Sequence, residues 1–131
     1  MTQAIGYSRC NVGDLDKLRR QRDAIAAWSA RTGIPIAAWY TDESLSGKAR
    51  LADSPGLRAC ILATKALGHG VLVATALDRL SRRSDNVVAV LADLYSSGAE
   101  VMTIDQADDS WTRAWLALQR QLAARGLVVA G

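Results

Sequence analysis

VLVATALDRLSRR, the stretch from Val71 to Arg83, joins two kinds of chemistry. Val71, Leu72, Val73, Ala74 and Ala76 make a nearly unbroken apolar run. That is the pattern of a strand buried on both faces of a parallel sheet. Asp78, Arg79, Arg82 and Arg83 then crowd into six residues before a helical pattern resumes. In an open parallel sheet, ligands bind at the C-terminal ends of the strands. Three guanidiniums and one carboxylate at such an end suit a phosphate, with the carboxylate aiming the arginines. A solvated basic loop has the same composition, and this segment alone does not separate the two.

Toward the N-terminus, residues 3–10 (QAIGYSRC) alternate as a short strand. Tyr7, Arg9 and Asn11 fall on one side of it, Ser8 and Cys10 on the other. Leu15 to Arg31 carries Leu18, Ile25 and Trp28 at helical spacing, with Asp14 as N-cap and Gly33 and Pro35 as the stop. Lys17, Arg19, Arg20 and Arg22 make the first half of that helix basic, which reads either as a solvated face or as a surface turned to DNA. Ile36 to Thr41 predicts a second strand, followed over 42–55 by a loop of about fourteen residues, a length that is often functional. Pro55 opens a helix that runs to Leu67, and Gly68-His69-Gly70 turns the chain into the central strand.

On the other side, the Asp78–Arg83 segment reads as a loop, after which Ser84 or Asp85 caps a helix carrying Val87, Val90, Leu91 and Leu94. Val101 to Ile104 predicts a fourth strand, and residues 105–109 an acidic turn. A last helix over 110–125 places Trp111, Trp115, Leu118 and Leu122 on one stripe. The alternation predicts an α/β three-layer sandwich around a mostly parallel sheet of roughly four to five strands.

The 131 residues are expected to form one domain, 1–131, with half of them hydrophobic and 22% charged. A net charge of +3 permits nucleic-acid binding without demanding it, so the placement of the charges has to decide. Cys10 and Cys60 belong to no CxxC or Cys/His cluster, and His69 stands alone in a turn, so no metal site is expected. Neither GxGxxG nor GxxxxGK[ST] is present, and no cofactor is expected. The first residues lack the pattern of a secretory signal, and no apolar run is long enough to span a bilayer. A cytoplasmic protein with no membrane partner is the resulting expectation.

Three segments taken together, GYSRCN at 6–11, DESLSG at 42–47 with SPGL at 54–57, and LDRLSR at 77–82, resemble the catalytic domain of serine recombinases, the resolvase/invertase family. The resemblance covers roughly residues 3–122 and implies site-specific DNA strand exchange through a covalent phosphoserine link. It places Arg9, Asp78, Arg79 and Arg82 at the family's catalytic positions, the arginines holding the scissile phosphate and the aspartate orienting them or moving a proton. Ser46 and Gly47 match the Ser-Gly of the family's mobile loop, here about 42–55, and Gln21 matches a glutamine of the first helix. Arg83 and Arg50 join Arg9, Arg79, Arg82, Ser46 and Gln21 as phosphate- or DNA-binding candidates.

The departures weigh as much as the matches. The family reads Tyr-x-Arg-x-Ser where this chain has Tyr7-Ser8-Arg9-Cys10-Asn11, so Asn11 occupies the nucleophile position. A carboxamide has no oxyanion form with which to attack phosphorus. Ser8 and Cys10 sit on the opposite side of a regular strand. Ser54 stands where the family usually has an arginine, with Lys48 and Arg50 as the nearby cations. The last helix, about sixteen residues or roughly 24 Å, is followed by only six residues, so no separate DNA-binding domain is expected. Its Trp111, Trp115, Leu118 and Leu122 stripe suits a homodimer seam, or a heteromer with a recombinase, as well as a monomer's core. The expected function is a catalytically inactive, recombinase-like module that binds DNA weakly and without sequence preference, or regulates a partner. Two alternatives stand beside it: an active site-specific recombinase with a non-standard nucleophile, and a protein-interaction module that binds no DNA.

Overall fold

The computed structural model describes residues 2–10, 14–43 and 51–105, together with positions 120 and 124. Four strands, β1 (Gln3–Arg9), β2 (Ile36–Asp42), β3 (Gly70–Ala74) and β4 (Glu100–Thr103), form a sheet of order β2-β1-β3-β4. Every pairing is parallel. Each strand therefore needs a crossover to the next, supplied by α1 (Leu15–Thr32), α2 (Pro55–Ala66) and the pair α3 (Leu77–Leu80) and α4 (Ser84–Ser96). This is the α/β sandwich that the alternating pattern predicts.

The strand period divides the core in two. Ile5, Tyr7 and Leu72 join Leu57, Cys60 and Ile61 of α2 and Val87, Val90, Leu91 and Leu94 of α4 on one face. Ala4, Val71 and Val73 meet Ile25 and Trp28 of α1 on the other. Every residue of β3 is buried, as its apolar run requires. Burying one such side chain, Leu72, contributes about 1.5–3 kcal/mol. Asp14 caps α1 by accepting the Lys17 N–H, and Gly33 closes it at φ 74, a left-handed conformation that glycine adopts without a Cβ clash.

The Asp78–Arg83 segment departs from its reading as a loop. Residues 77–80 make one helical turn, because Leu77 and Leu80, three apart, are both 2% exposed and drawn into the α2/α4 face of the core. The following helix begins with Arg83 at the N-cap, not with Ser84 or Asp85. Its start is fastened from outside by Ser81, whose hydroxyl accepts from the Arg83 N–H at 3.0 Å and from Asn86 Nδ2 at 3.2 Å. In the expected 42–55 loop, β2 runs on to Asp42 and a 3₁₀ turn occupies Leu51–Asp53. The expected last helix over 110–125, with Trp111, Trp115, Leu118 and Leu122 as its candidate dimer seam, lies outside the described residues apart from positions 120 and 124. No helix among the described residues is long and apolar enough to cross a membrane.

Candidate phosphate-binding site

The C-terminal edge of the sheet brings together the end of β1, the first turns of α1 and the turn α3. Arg9, the last residue of β1, is only 3% exposed despite its charge. Its Nε donates to the carbonyl of Arg79 at 3.1 Å, and its Nη2 donates to the carbonyl of Asp78. A helix leaves its last four carbonyls without intrahelical partners. A helix of one turn therefore presents these carbonyls to a planar cation that can span two of them. Arg9 is gripped from the other side as well. Its N–H donates to Gln21 Oε1 at 3.1 Å, and Gln21 Nε2 donates to its carbonyl at 2.8 Å. Gln21 thus ties α1 to the end of β1 through the backbone.

Burial draws the Arg9 guanidinium below its ordinary pKa; the charges of Arg79 and Arg82 act in the same direction, against Tyr7 and Asp78. Arginine remains a cation even so. Three cations that repel one another thus share a site with the Asp78 carboxylate, whose Oδ1 lies 3.6 Å from Arg79 Nε. That oxygen is inaccessible and makes no hydrogen bond, so the contact is an ion pair at long range. The sequence suggests a carboxylate aiming the arginines; for Arg9 the aiming atoms are backbone carbonyls instead. The arrangement leaves a surplus of positive charge suited to an anion.

Arg82 is exposed beside this cluster. Arg83 turns away to a fork with Asp85, its Nη2 3.0 Å from Oδ2 and its Nε 3.2 Å from Oδ1, which raises the arginine's pKa and lowers the aspartate's. Asn11, Ser46, Gly47, Lys48 and Arg50 lie outside the described residues. Ser8 and Cys10 are each 1% exposed. Ser54 is buried at the N-cap of α2 and makes no side-chain cap hydrogen bond there. Among the described residues no cluster of His, Cys, Asp or Glu could hold a metal. Cys60 is a buried thiol pushed up to about 12, mainly by burial.

Two parts of the site escaped the sequence reading. The first is Asp42, at the end of β2. Its Oδ2 accepts from the Tyr7 hydroxyl at 2.6 Å and from the Leu57 N–H at 2.9 Å, and its Oδ1 accepts from the Gly56 N–H at 2.8 Å. Its carbonyl also accepts the Cys10 N–H at 3.2 Å. One carboxylate thus caps α2 from a neighbouring strand and joins both ends of the 43–54 segment to β1. Burial, with the bond to Asp42 second, raises the Tyr7 pKa far above the ordinary phenol value. In the sequence Asp42 is only the first residue of the DESLSG segment, with nothing to mark it as the cap of α2.

Such close approach needs a glycine at 56. A Cβ there would stand 2.4 Å from the Thr41 carbonyl oxygen and 2.8 Å from Asp42 Oδ1. Gly56→Ala is expected to lower the unfolding free energy by about 2–3 kcal/mol, as overpacking against fixed backbone does. Urea unfolding measures it, and a loss under about 0.5 kcal/mol would show that α2 shifts freely.

The second missed part is a groove of about 250 Å³ lined by Lys17, Arg20, Gln21, Thr75 and Arg79. The basic face of α1 is therefore divided. Lys17 and Arg20 look into the groove, whereas Arg22 stacks over the Trp39 ring at 5.0 Å.

Residues 4–125 match the family described as Resolvase, N terminal domain. The chain belongs to this resolvase family. Its fold is shared with solved structures of low sequence identity. The N-terminal catalytic domain of TP901-1 integrase superposes with a TM-score of 0.72 at 20% identity, covering 96% of this chain and 95% of that one. The C-terminal catalytic domain of ISC1926 TnpA, an IS607-like serine recombinase, gives 0.69 at 17%, covering 95% and 82%. A resolvase family site-specific recombinase from Streptococcus pneumoniae gives 0.66 at 16%, covering 96% and 90%. No curated protein matches the chain. The resolvase assignment relates the domain to DNA recombination; Arg79 and Arg82 at the sheet edge come from the LDRLSR segment and Arg9 from GYSRCN.

Proposed function

We propose that this resolvase-like domain binds the DNA backbone at the sheet edge and does not cleave it, serving as a DNA-binding or regulatory partner module. The observation that carries the reading is the clustering of Arg9, Arg79 and Arg82 beside Asp78 at the C-terminal edge of the sheet. Arg79 and Arg82 meet the phosphate, and Arg9 reinforces them from beneath while holding α3. The nucleophile position holds Asn11, whose carboxamide donates a hydrogen bond at most. Ser8 and Cys10, each 1% exposed, are too buried to replace it, which weighs against an active enzyme with another nucleophile. The domain acts as a single unit and pairs through the helix over 110–125, with itself or with a recombinase. Contacts of this kind engage phosphates, so affinity falls steeply with salt and depends little on sequence.

Fluorescence anisotropy with a labelled generic duplex at low and moderate salt tests the reading. Alanine at both Arg79 and Arg82 keeps the carbonyls that anchor Arg9, so it probes the phosphate contact with the scaffold in place. The expected result is loss of roughly a hundredfold in affinity, about 2.7 kcal/mol. Unchanged affinity in the double variant, or no binding by the wild type, would overturn the proposal. Denaturant-resistant protein–DNA adducts formed by the wild type would overturn its inactive part.

A further inference from the structure

We propose that the groove between α1 and the end of β3 holds a second phosphate of the same DNA strand, adjacent to the one at Arg79 and Arg82. The proposal rests on the DNA reading above and extends it. Lys17 and Arg20 lie three residues apart on α1, so they are neighbours on one flank of the helix. The buried stripe of Leu18, Gln21, Ile25 and Trp28 fixes that flank against the sheet. Thr75, just beyond β3, also lines the groove, and its carbonyl is fixed by the Asp105 N–H at 2.7 Å. Arg79 lines the groove and also belongs to the arginine cluster. The two sites thus share a wall.

The charge balance favours an anion. Lys17 is shared with Asp14, Nζ to Oδ2 3.5 Å in an exposed pair that contributes little. Arg79 has only the long contact to Asp78, and Arg20 has no acidic partner among the described residues. Gln21, on the floor, has its amide committed to the backbone of Arg9, so it sets the groove's shape and leaves recognition to the cations. Phosphates recur along one DNA strand about every 3.4 Å of helix axis. Because the two cation sets share Arg79, neighbouring phosphates of one strand suit them better than separate ligands. In this arrangement Lys17, Arg20 and Thr75 set the direction in which the strand leaves the arginine cluster.

Anisotropy titrations of a labelled duplex over a salt series would compare the wild type with two double variants that each remove two charges from α1. Lys17→Ala with Arg20→Ala empties the groove's α1 wall. Arg19→Ala with Arg31→Ala removes exposed charges that do not line it. The groove variant is expected to bind about tenfold more weakly at low salt, with its log–log salt slope smaller by about 1, the value for one lost phosphate contact. The control variant is expected to keep the wild-type slope. Equal effects of the two variants, or an unchanged groove variant while Arg79→Ala/Arg82→Ala weakens binding roughly a hundredfold, would overturn the second phosphate and leave the first standing. Absence of binding by the wild type would overturn both.

Discussion

Asp42→Ala is expected to lower the unfolding free energy by about 4–5 kcal/mol, most of the stability of many domains of this size. Three hydrogen bonds to one carboxylate disappear together, each worth about 1.5 kcal/mol or more when the acceptor is charged. Two of their donors cannot turn to water. Tyr7 is wholly buried, and Leu57 is 1% exposed. The α2 helix also loses the negative charge at its N-terminus, where Ser54 gives no side-chain cap. Asp42→Asn should lose about half as much, since one carboxamide oxygen can still accept while its nitrogen faces donors. Tyr7→Phe should lose only about 1–1.5 kcal/mol, because the α2 cap survives. Urea midpoints at constant slope give the ranking Ala, Asn, Phe. If the Ala variant yields no folded protein, Tyr7→Phe still tests the network. An Asp42→Ala loss below about 1 kcal/mol would show that water or another residue replaces the carboxylate.

The contrast between Asp42 and the elements read correctly shows where sequence reasoning stops. Val71 to Ala74 declared itself because burial on both faces leaves an unbroken apolar run, and α1 because Asp14 and Gly33 mark its ends. These signals are local. Asp42 acts on residues 14, 15 and 35 positions away, so no window of sequence contains its role. The turn α3 was hidden for a different reason. Its two leucines are too few to set a period, and the charges between them look like a loop. Arg9, Arg79 and Arg82 were legible as a cluster through their segments, yet not the means of holding them, because a guanidinium resting on carbonyls leaves no trace in residue types. The basic helix was likewise legible as basic, but only its seating on the sheet assigns Lys17 and Arg20 to the groove and Arg22 to Trp39.

Arg9 is where scaffold and site meet, and its replacement should separate the two. Arg9→Ala is expected to lose about 3–4 kcal/mol, since two charge-assisted hydrogen bonds vanish and the carbonyls of Asp78 and Arg79 lose their cap. Arg9→Lys keeps the charge, but an ammonium cannot reproduce the flat fork that spans both carbonyls. It should therefore lose roughly half as much stability while retaining most of the attraction for phosphate. Urea unfolding and duplex titration on the same preparations would test this at a temperature where each variant is folded. The expected pattern for the lysine variant is a lowered midpoint with a salt slope within about 0.5 of the wild type, because the proposed phosphate contacts are those of Arg79 and Arg82. A lysine variant as stable as the wild type would show that the grip on α3 is not what Arg9 provides. A salt slope reduced by a full unit at unchanged stability would place Arg9 on the phosphate itself.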